Sequence, residues 1–406
     1  MVNVAILGYG TVGSGVFEVI NKNNSHISRR AGDDVNVKYV LDLRDFPGDP
    51  VESVLVHDFN VILNDPEVDV VVEVMGGVEP AHTFVRQSLE QGKSVCTSNK
   101  EMVAKYGAEL LKVAKEHTCN FLYEASVGGG IPIIRPLNQS LTVDHVNEIS
   151  GILNGTTNYI LTKMSEEGLK FEDVLKDAQD RGYAERNPEA DVEGYDACRK
   201  IAILASMAYE KQVDYEDIYT EGITKITKED FEYVSQLGAS IKLLGKAWKE
   251  NGNIYAMVAP FVINKDNPLY GVRGVFNAIL LNGDMLGDVM FYGKGAGKLA
   301  TASAVVSDVV DAIKHKGKII MTFWGSEKRT LGDINDFAMP YFVRVEGAGR
   351  EAEIEKVLDN VQFISAPADS KVAGTETAFI TEAVKGADLE EALKGFTVVS
   401  KIRVSQ

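Results

Sequence analysis

The chain is short of the residues that disulfide frameworks and metal clusters need. Its 406 residues hold three cysteines, Cys96, Cys119 and Cys198. None stands in a CxxC or metal-ligand spacing, which argues against a disulfide scaffold and a zinc module. So sparse and odd a set suits a reducing cytoplasm. No apolar run reaches membrane-spanning length. The N-terminus opens on a strand pattern rather than on a basic flank and signal core. There is no basic stripe, and the net charge is −17, which excludes a nucleic-acid backbone as partner. Repeats and low-complexity tracts are also missing. What remains is a cytoplasmic globular protein for a small-molecule substrate, long enough for two or three domains.

Glycine, by contrast, is plentiful and placed with purpose. Val2 to Leu7 is a β-branched apolar run ending in Gly8-Tyr-Gly10-Thr11-Val12-Gly13, and a helix pattern starts at Ser14. A GxGxxG between strand and helix is a dinucleotide signal because each glycine has a task there. The first turns the chain, the second admits a pyrophosphate, and the third lets helix meet strand. The helix N-terminus then offers amide donors to the phosphates. A second strand, Val35 to Leu41, ends in Asp42-Leu-Arg44-Asp45. An acid there holds a ribose diol, as in NAD, whereas an arginine holds the 2′-phosphate of NADP. Both are present, and Arg44 tilts the choice slightly to NADP.

Val68 to Met75 is an apolar strand interrupted by Glu73 and followed by Gly76-Gly77. Helix Glu79–Gln91, strand Ser94–Thr97, helix Met102–His117 and strand Phe121–Val127 complete an alternation that predicts a doubly wound parallel sheet. Its carboxyl rim carries Gly76, Ser98, Asn99, Lys100 and Glu124. Lys100 is a lysine candidate for the chemistry; otherwise it is a solvated first-turn lysine. Glu124 leads into Val127-Gly128-Gly129-Gly130-Ile131-Pro132. Carbonyls beside a carboxylate suit a hard cation; a plain hinge is the simpler account.

After Val146 the pattern changes. We expect strand Ile149–Leu153, the turn Asn154-Gly155-Thr156-Thr157-Asn158, a helix to Ser165, and a helix over Phe171–Arg181. A helix over Phe231–Lys249 and strands Ile254–Phe261 and Val289–Tyr292 follow, an α+β substrate domain. The chemistry is placed in Gly182 to Lys200. Glu185, Glu189, Asp191, Glu193 and Asp196 precede Arg199 and Lys200, and an apolar helical stripe runs from Ile201 to Ala208. Asp196 and Lys200 are one helical turn apart. On a surface such a pair is weak. Held among carboxylates and apolar neighbours, its lysine becomes a usable general acid or base. Gly293-Lys-Gly295-Ala-Gly297-Lys298 is a further glycine loop before a helix, without Walker spacing. From Met339 a βαββαβ rhythm predicts a ferredoxin-like module.

These motifs resemble homoserine dehydrogenase over residues 1 to about 320. The resemblance rests on Gly8–Gly13, Ser98-Asn99-Lys100, Glu124–Pro132, Asn154–Asn158, Gly182–Lys200 and Gly293–Gly297. Residues 335–406 resemble an ACT regulatory module. The implied layout is a Rossmann domain over 1–132 completed by 295–318, a substrate and dimerisation domain over 133–294, and that module. The implied reaction interconverts L-aspartate 4-semialdehyde and L-homoserine with NADP or NAD, in a homodimer or homotetramer. Lys200 would be the proton donor, and Lys100 would assist beside the nicotinamide. Asp196 and Glu185 would hold the substrate, with Asp191, Gly155, Thr156 and Tyr183. Cofactor contacts would come from Gly8, Gly10, Thr11, Val12, Gly13, Arg44, Gly76, Ser98, Lys100, Gly182 and Gly297. A structural sodium ion would take Glu124 and the carbonyls of Val127, Gly129 and Ile131.

Two positions depart from the family pattern. Glu185-Arg186 replaces a Glu-Pro, and Glu346-Gly-Ala-Gly-Arg350 replaces the Asp-x-Pro-Gly turn of an effector pocket. The second implies a module without threonine feedback. Nothing precedes the glycine loop, so no fused kinase half is expected. Two other classes compete: a phosphorylating semialdehyde dehydrogenase using Cys198, which lacks a nearby histidine base, and a cofactor-binding sensor.

Overall fold

Six residues at the start, Val2–Leu7 (β1), are the centre of the first sheet. In the computed structural model, which describes residues 1–405, β1 pairs in parallel with Val35–Leu41 (β2) and Val68–Glu73 (β4). Leu55–Val56 (β3), Ser94–Thr97 (β5) and Phe121–Leu122 (β6) extend it to the parallel order β3-β2-β1-β4-β5-β6. That is the dinucleotide-binding order, and it reverses between β1 and β4, where such sheets open their crevice. Val4 and Ile6 of β1 share a core with Val16 and Ile20 of helix α1 (Thr11–Lys22) and with Val305 and Val309 of the late helix Lys298–Lys314. Gly15 lets these two helices touch, since a Cβ there would lie 2.8 Å from the Lys298 carbonyl. Helix Ala81–Glu90 packs with α2 (Lys100–Glu116). By contacts this first unit comprises Met1–Asp144, Ala202–Glu216 and Phe291–Arg329.

The second unit comprises His145–Ile201, Asp217–Met290 and the chain from Thr330 onward. Its sheet contains Val146–Ile152 (β7), Ser240–Glu250 (β8), Asn253–Ile263 (β9), Phe276–Gly283 (β10) and Gly287–Lys294 (β11), the last as far as Met290. The terminal segment adds Tyr341–Glu346 (β12), Gln362–Ile364 (β13), Glu376–Ile380 (β14) and Val398–Ser405 (β15). The path runs β11-β10-β7-β8-β9-β15-β12-β14-β13. Within it, β15-β12-β14-β13 is the ferredoxin-like arrangement expected from the βαββαβ rhythm. Parallel pairing of Phe261 with Arg403 and Ile263 with Ser405 joins β9 to β15. The terminal strands thus continue the preceding sheet, and Met257 and Phe261 share a core with Tyr341 and Phe379.

One expected helix is corrected. Over Phe231–Lys249 the chain is helical only in Lys228–Gln236, and Ser240–Glu250 is a strand. Gly238, at φ +64°, ends the helix. The leucines, lysines and alanine beyond it favour a helix locally. They pair instead along eleven residues of β9 and against β7, so tertiary pairing overrides propensity.

Candidate active site

The carboxyl rim of the first sheet is built from turns that only glycine permits. Gly8 has φ +100°, and a Cβ on Gly13 would sit 1.9 Å from the Gly8 carbonyl oxygen. Gly10, the N-cap of α1, has open space around it and no side-chain cap on the helix. The amides from Thr11 and Val12 onward are therefore left for an anion, and a pyrophosphate fits this cradle. At the end of β2, Asp42 accepts the Tyr9 N–H at 2.8 Å and two Arg44 donors at 2.9 Å each. Arg44 holds the Asp42 carboxyl well below its usual range. The guanidinium itself is exposed.

Gly76 and Gly77 follow β4 with φ of +80° and +71°. Asn99 caps α2 by accepting the Met102 N–H at 3.2 Å and donates to the Gly77 carbonyl at 2.6 Å. Ser98 and Lys100 flank that cap and are half-buried. Beneath them lies fully buried Glu73, which no motif singles out beyond its interruption of an apolar strand. Further along, Gly129 packs against the later glycine loop, its Cβ position lying 2.2 Å from the Gly295 carbonyl. Gly297 is the N-cap of the late helix at φ +122°.

Glu124 departs from its expected part. Its carboxylate accepts the main-chain N–H groups of Ile133, Ile134 and Arg135 at 2.6, 2.8 and 2.8 Å. A buried acid committed to three amides is a main-chain clamp, not a free ligand. Glu124 can offer a cation its main-chain carbonyl, alongside those of Val127, Gly129 and Ile131.

Lys200, a residue of the second unit, lies on α4 (Tyr195–Ala208) and is buried. Its ammonium donates to Asp196 Oδ2 at 2.7 Å and to the Leu153 carbonyl at 2.8 Å. Asn154 ties the cluster together. Its Nδ2 donates to Asp196 at 2.9 Å and Asp191 at 2.7 Å, while its Oδ1 accepts the Thr157 N–H at 2.9 Å. Asn154 is thus the N-cap of helix α3 (Gly155–Glu167) and the link between two acids. Its motif was visible in sequence; this linking part was not. Gly155 is pressed on the next segment, with its Cβ position 2.8 Å from the Val275 carbonyl. Thr156 donates to the Tyr183 carbonyl at 2.6 Å, so Tyr183 meets the turn through its main chain.

Glu185 is not drawn in. It is exposed, and among the described residues no hydrogen bond joins it to the Asn154–Lys200 cluster. Gly182, also exposed, is a left-handed turn at φ +73° after helix Phe171–Asp180. Cys198 is buried, and burial raises its thiol above the usual value, the opposite of an activated nucleophile. The thioester alternative loses its residue.

A doubly wound parallel sheet, a glycine cradle at its switch point and a buried lysine–aspartate pair define a nicotinamide-dependent oxidoreductase. Family models described as homoserine dehydrogenase, NAD binding domain, and as homoserine dehydrogenase match residues 8–124 and 132–310. The chain belongs to the homoserine dehydrogenase family, oxidoreductases acting on a CH–OH group. The homoserine dehydrogenase of Bacillus subtilis is 44% identical over 363 residues, 88% of this chain and 84% of its own. That of Synechocystis is 46% identical over 319 residues, 77% and 73% of the two chains. A crystal structure of a homoserine dehydrogenase from Thiobacillus denitrificans matches with TM-score 0.91 at 34% identity, over 100% of this chain and 98% of its own. A hyperthermophilic archaeal homoserine dehydrogenase mutant in complex with NADPH matches with TM-score 0.65 at 30% identity, over 77% and 97%. Among the described residues no helix is long and apolar enough to cross a membrane.

Proposed function

We propose that the chain reduces L-aspartate 4-semialdehyde to L-homoserine, and the reverse, with Lys200 as the proton donor and acceptor. The carrying observation is the buried Lys200–Asp196–Asn154 cluster. The nicotinamide, when bound, supplies or takes up the hydride. Negative charge then develops on the substrate oxygen, and Lys200 meets it with a proton. Asp196 holds the ammonium, and Asn154 holds Asp196. Asp191, the Gly155–Thr156 turn and the Tyr183 main chain line the substrate's place. Glu185, exposed here, is assigned to the substrate ammonium from the outer loop. Lys100 stands on the nicotinamide rim with Gly76 and Ser98. The pyrophosphate takes the Gly8–Gly13 cradle, and Gly182 and Gly297 add main-chain contacts.

General acid–base help contributes roughly a hundred- to ten-thousand-fold, and Lys200→Ala is expected to lose kcat by that order while still quenching NADPH fluorescence. Wild-type turnover in that variant rejects the assignment. The same assay run with NADP and with NAD reads cofactor choice, NADP being the expected one. Added threonine is expected to leave the rate unchanged, in keeping with the Glu346–Arg350 turn of the terminal, ACT-like module. We assign a sodium ion to the carbonyls of Glu124, Val127, Gly129 and Ile131. It predicts a Tm raised by sodium chloride and not by choline chloride at equal ionic strength; equal shifts remove the ion. The working form is a homodimer or homotetramer in the cytoplasm.

A further inference from the structure

Glu73 is the fully buried acid at the carboxyl end of β4, and its register partner across the parallel pair is Thr97, the last residue of β5. Burying a carboxyl group is costly unless its oxygens are bonded. Here both are. Oε1 accepts the Met75 N–H at 2.8 Å, and Oε2 accepts the Thr97 hydroxyl at 2.7 Å. The chain of bonds continues outward. Thr97 Oγ1 accepts the Asn99 N–H at 2.9 Å, and Asn99 Nδ2 donates to the Gly77 carbonyl at 2.6 Å. The loop after β4 and the loop after β5 are therefore locked to one another by one acid, one hydroxyl and one amide. Both loops end on residues of the rim: Gly76 and Gly77 on one side, Ser98 and Lys100 on the other.

An apolar residue at position 73 would fill the space and leave the Met75 amide and the Thr97 hydroxyl without partners. Glutamine would fill it almost as well and still fail. Its single oxygen can serve only one of the two donors. With its NH2 group toward Met75, donor faces donor. With its NH2 group toward Thr97, that nitrogen can only donate, so the hydroxyl hydrogen loses its acceptor. The site demands two acceptor oxygens, which only a carboxylate provides.

We propose that Glu73 is a positioning residue for hydride transfer, setting the Gly76–Gly77 main chain and the first turn of α2 through Thr97 and Asn99. It rests on the reading of that rim as the nicotinamide seat. None of these bonds goes to the Gly8–Gly13 main chain, which meets this lock only where Gly8 packs on Met75, so the larger effect falls on geometry at the reacting end and the smaller on cofactor affinity.

The test compares Glu73→Gln, Thr97→Val, the double variant and Lys100→Ala in the full chain. A misplacement of about 1 Å costs on the order of a hundredfold in rate, and Glu73→Gln is expected to lose kcat by that order with NADPH Kd near wild type. The primary isotope effect with 4-deuterated NADPH should rise, since hydride transfer becomes slower than release. Thr97→Val should match this loss, Thr97→Ser should restore it, and the double variant should be no worse than the worse single. If Glu73→Gln does not fold, Thr97→Val and its rescue by serine carry the test alone. Wild-type kcat in folded Glu73→Gln, or an additive double variant, overturns the proposal. If Lys100→Ala loses turnover while Glu73→Gln does not, only the Glu73 inference fails. Wild-type kcat in both removes the reading of the rim and the inference together.

Discussion

The two units hold their functional turns with buried charges of opposite sign. In the first, Glu73 lies beneath the glycine rim and accepts from the main chain and from a hydroxyl. In the second, Lys242 lies beneath the Asn154–Asn158 turn and donates to the Val272 carbonyl at 2.6 Å and Asn158 Oδ1 at 3.1 Å. Asn158 in turn donates to the Phe276 carbonyl at 2.9 Å. The sign follows from what the backbone leaves over. Parallel strands running into helix N-termini present N–H groups, which need an acceptor. The bend at 272–276 presents carbonyls, which need a donor. Each support is chosen by the orphaned main-chain group, not by the chemistry above it.

The sharpest way to break this comparison is to remove the lysine. Burial pulls Lys242 down from 10.5 to about 8, with Arg273 also lowering it and Glu166 opposing. The unfolded lysine therefore keeps its proton up to about pH 10.5, while the folded one gives it up near pH 8. Between those values the unfolded chain binds more protons, so the lysine makes stability rise with pH. A shift of this size corresponds to about 3 kcal/mol, and this is the expected gain of wild type relative to Lys242→Met from pH 7.5 to pH 10.5 in urea unfolding. Parallel pH curves for the two proteins would show that burial is not what sets this lysine. The same variant loosens the turn that carries Gly155, so KM for homoserine should rise more than that for the cofactor.

How much of this was legible depends on whether a residue's task is local. Gly8, Gly10 and Gly13 act on their own turn, so spacing and context revealed them. Asp196 and Lys200 act across one helical turn, and the sequence showed that too. Glu73 and Thr97 meet across two strands, and Lys242 and Asn158 lie 84 positions apart. Such partners leave no periodic trace. The strand Ser240–Glu250 was misread for the same reason: its composition is that of a helix, and only β7 and β9 on either side make it a strand. Glu124 is a further case: its carboxylate oxygens serve the amides of Ile133, Ile134 and Arg135, a partnership set by where the chain returns and not by the three glycines beside it.

A smaller effect sharpens the contrast between buried supports and surface pairs. Arg44 and Asp42 form a two-bond pair at the rim, but the guanidinium is exposed. Exposed pairs contribute little to stability, so Arg44→Ala should leave Tm near wild type. Its effect belongs to selectivity. In Arg44→Ala, Asp42 loses both guanidinium donors but keeps the Tyr9 N–H at 2.8 Å and the main-chain N–H of residue 44 at 3.0 Å, and an oxygen relieved of the guanidinium turns to whatever lies at the end of β2. A ribose diol can donate to that oxygen, whereas a 2′-phosphate is repelled by it. Bonds to charged groups are worth about 1.5–3 kcal/mol, so KM for NADPH should rise roughly tenfold to a hundredfold while KM for NADH holds or falls. The comparison needs steady-state kinetics with both cofactors at fixed ionic strength, because an exposed guanidinium is screened by salt. An equal change for NADPH and NADH would mean that Arg44 serves the fold of the loop, through Asp42 and the Tyr9 carbonyl, and does not read the 2′-position.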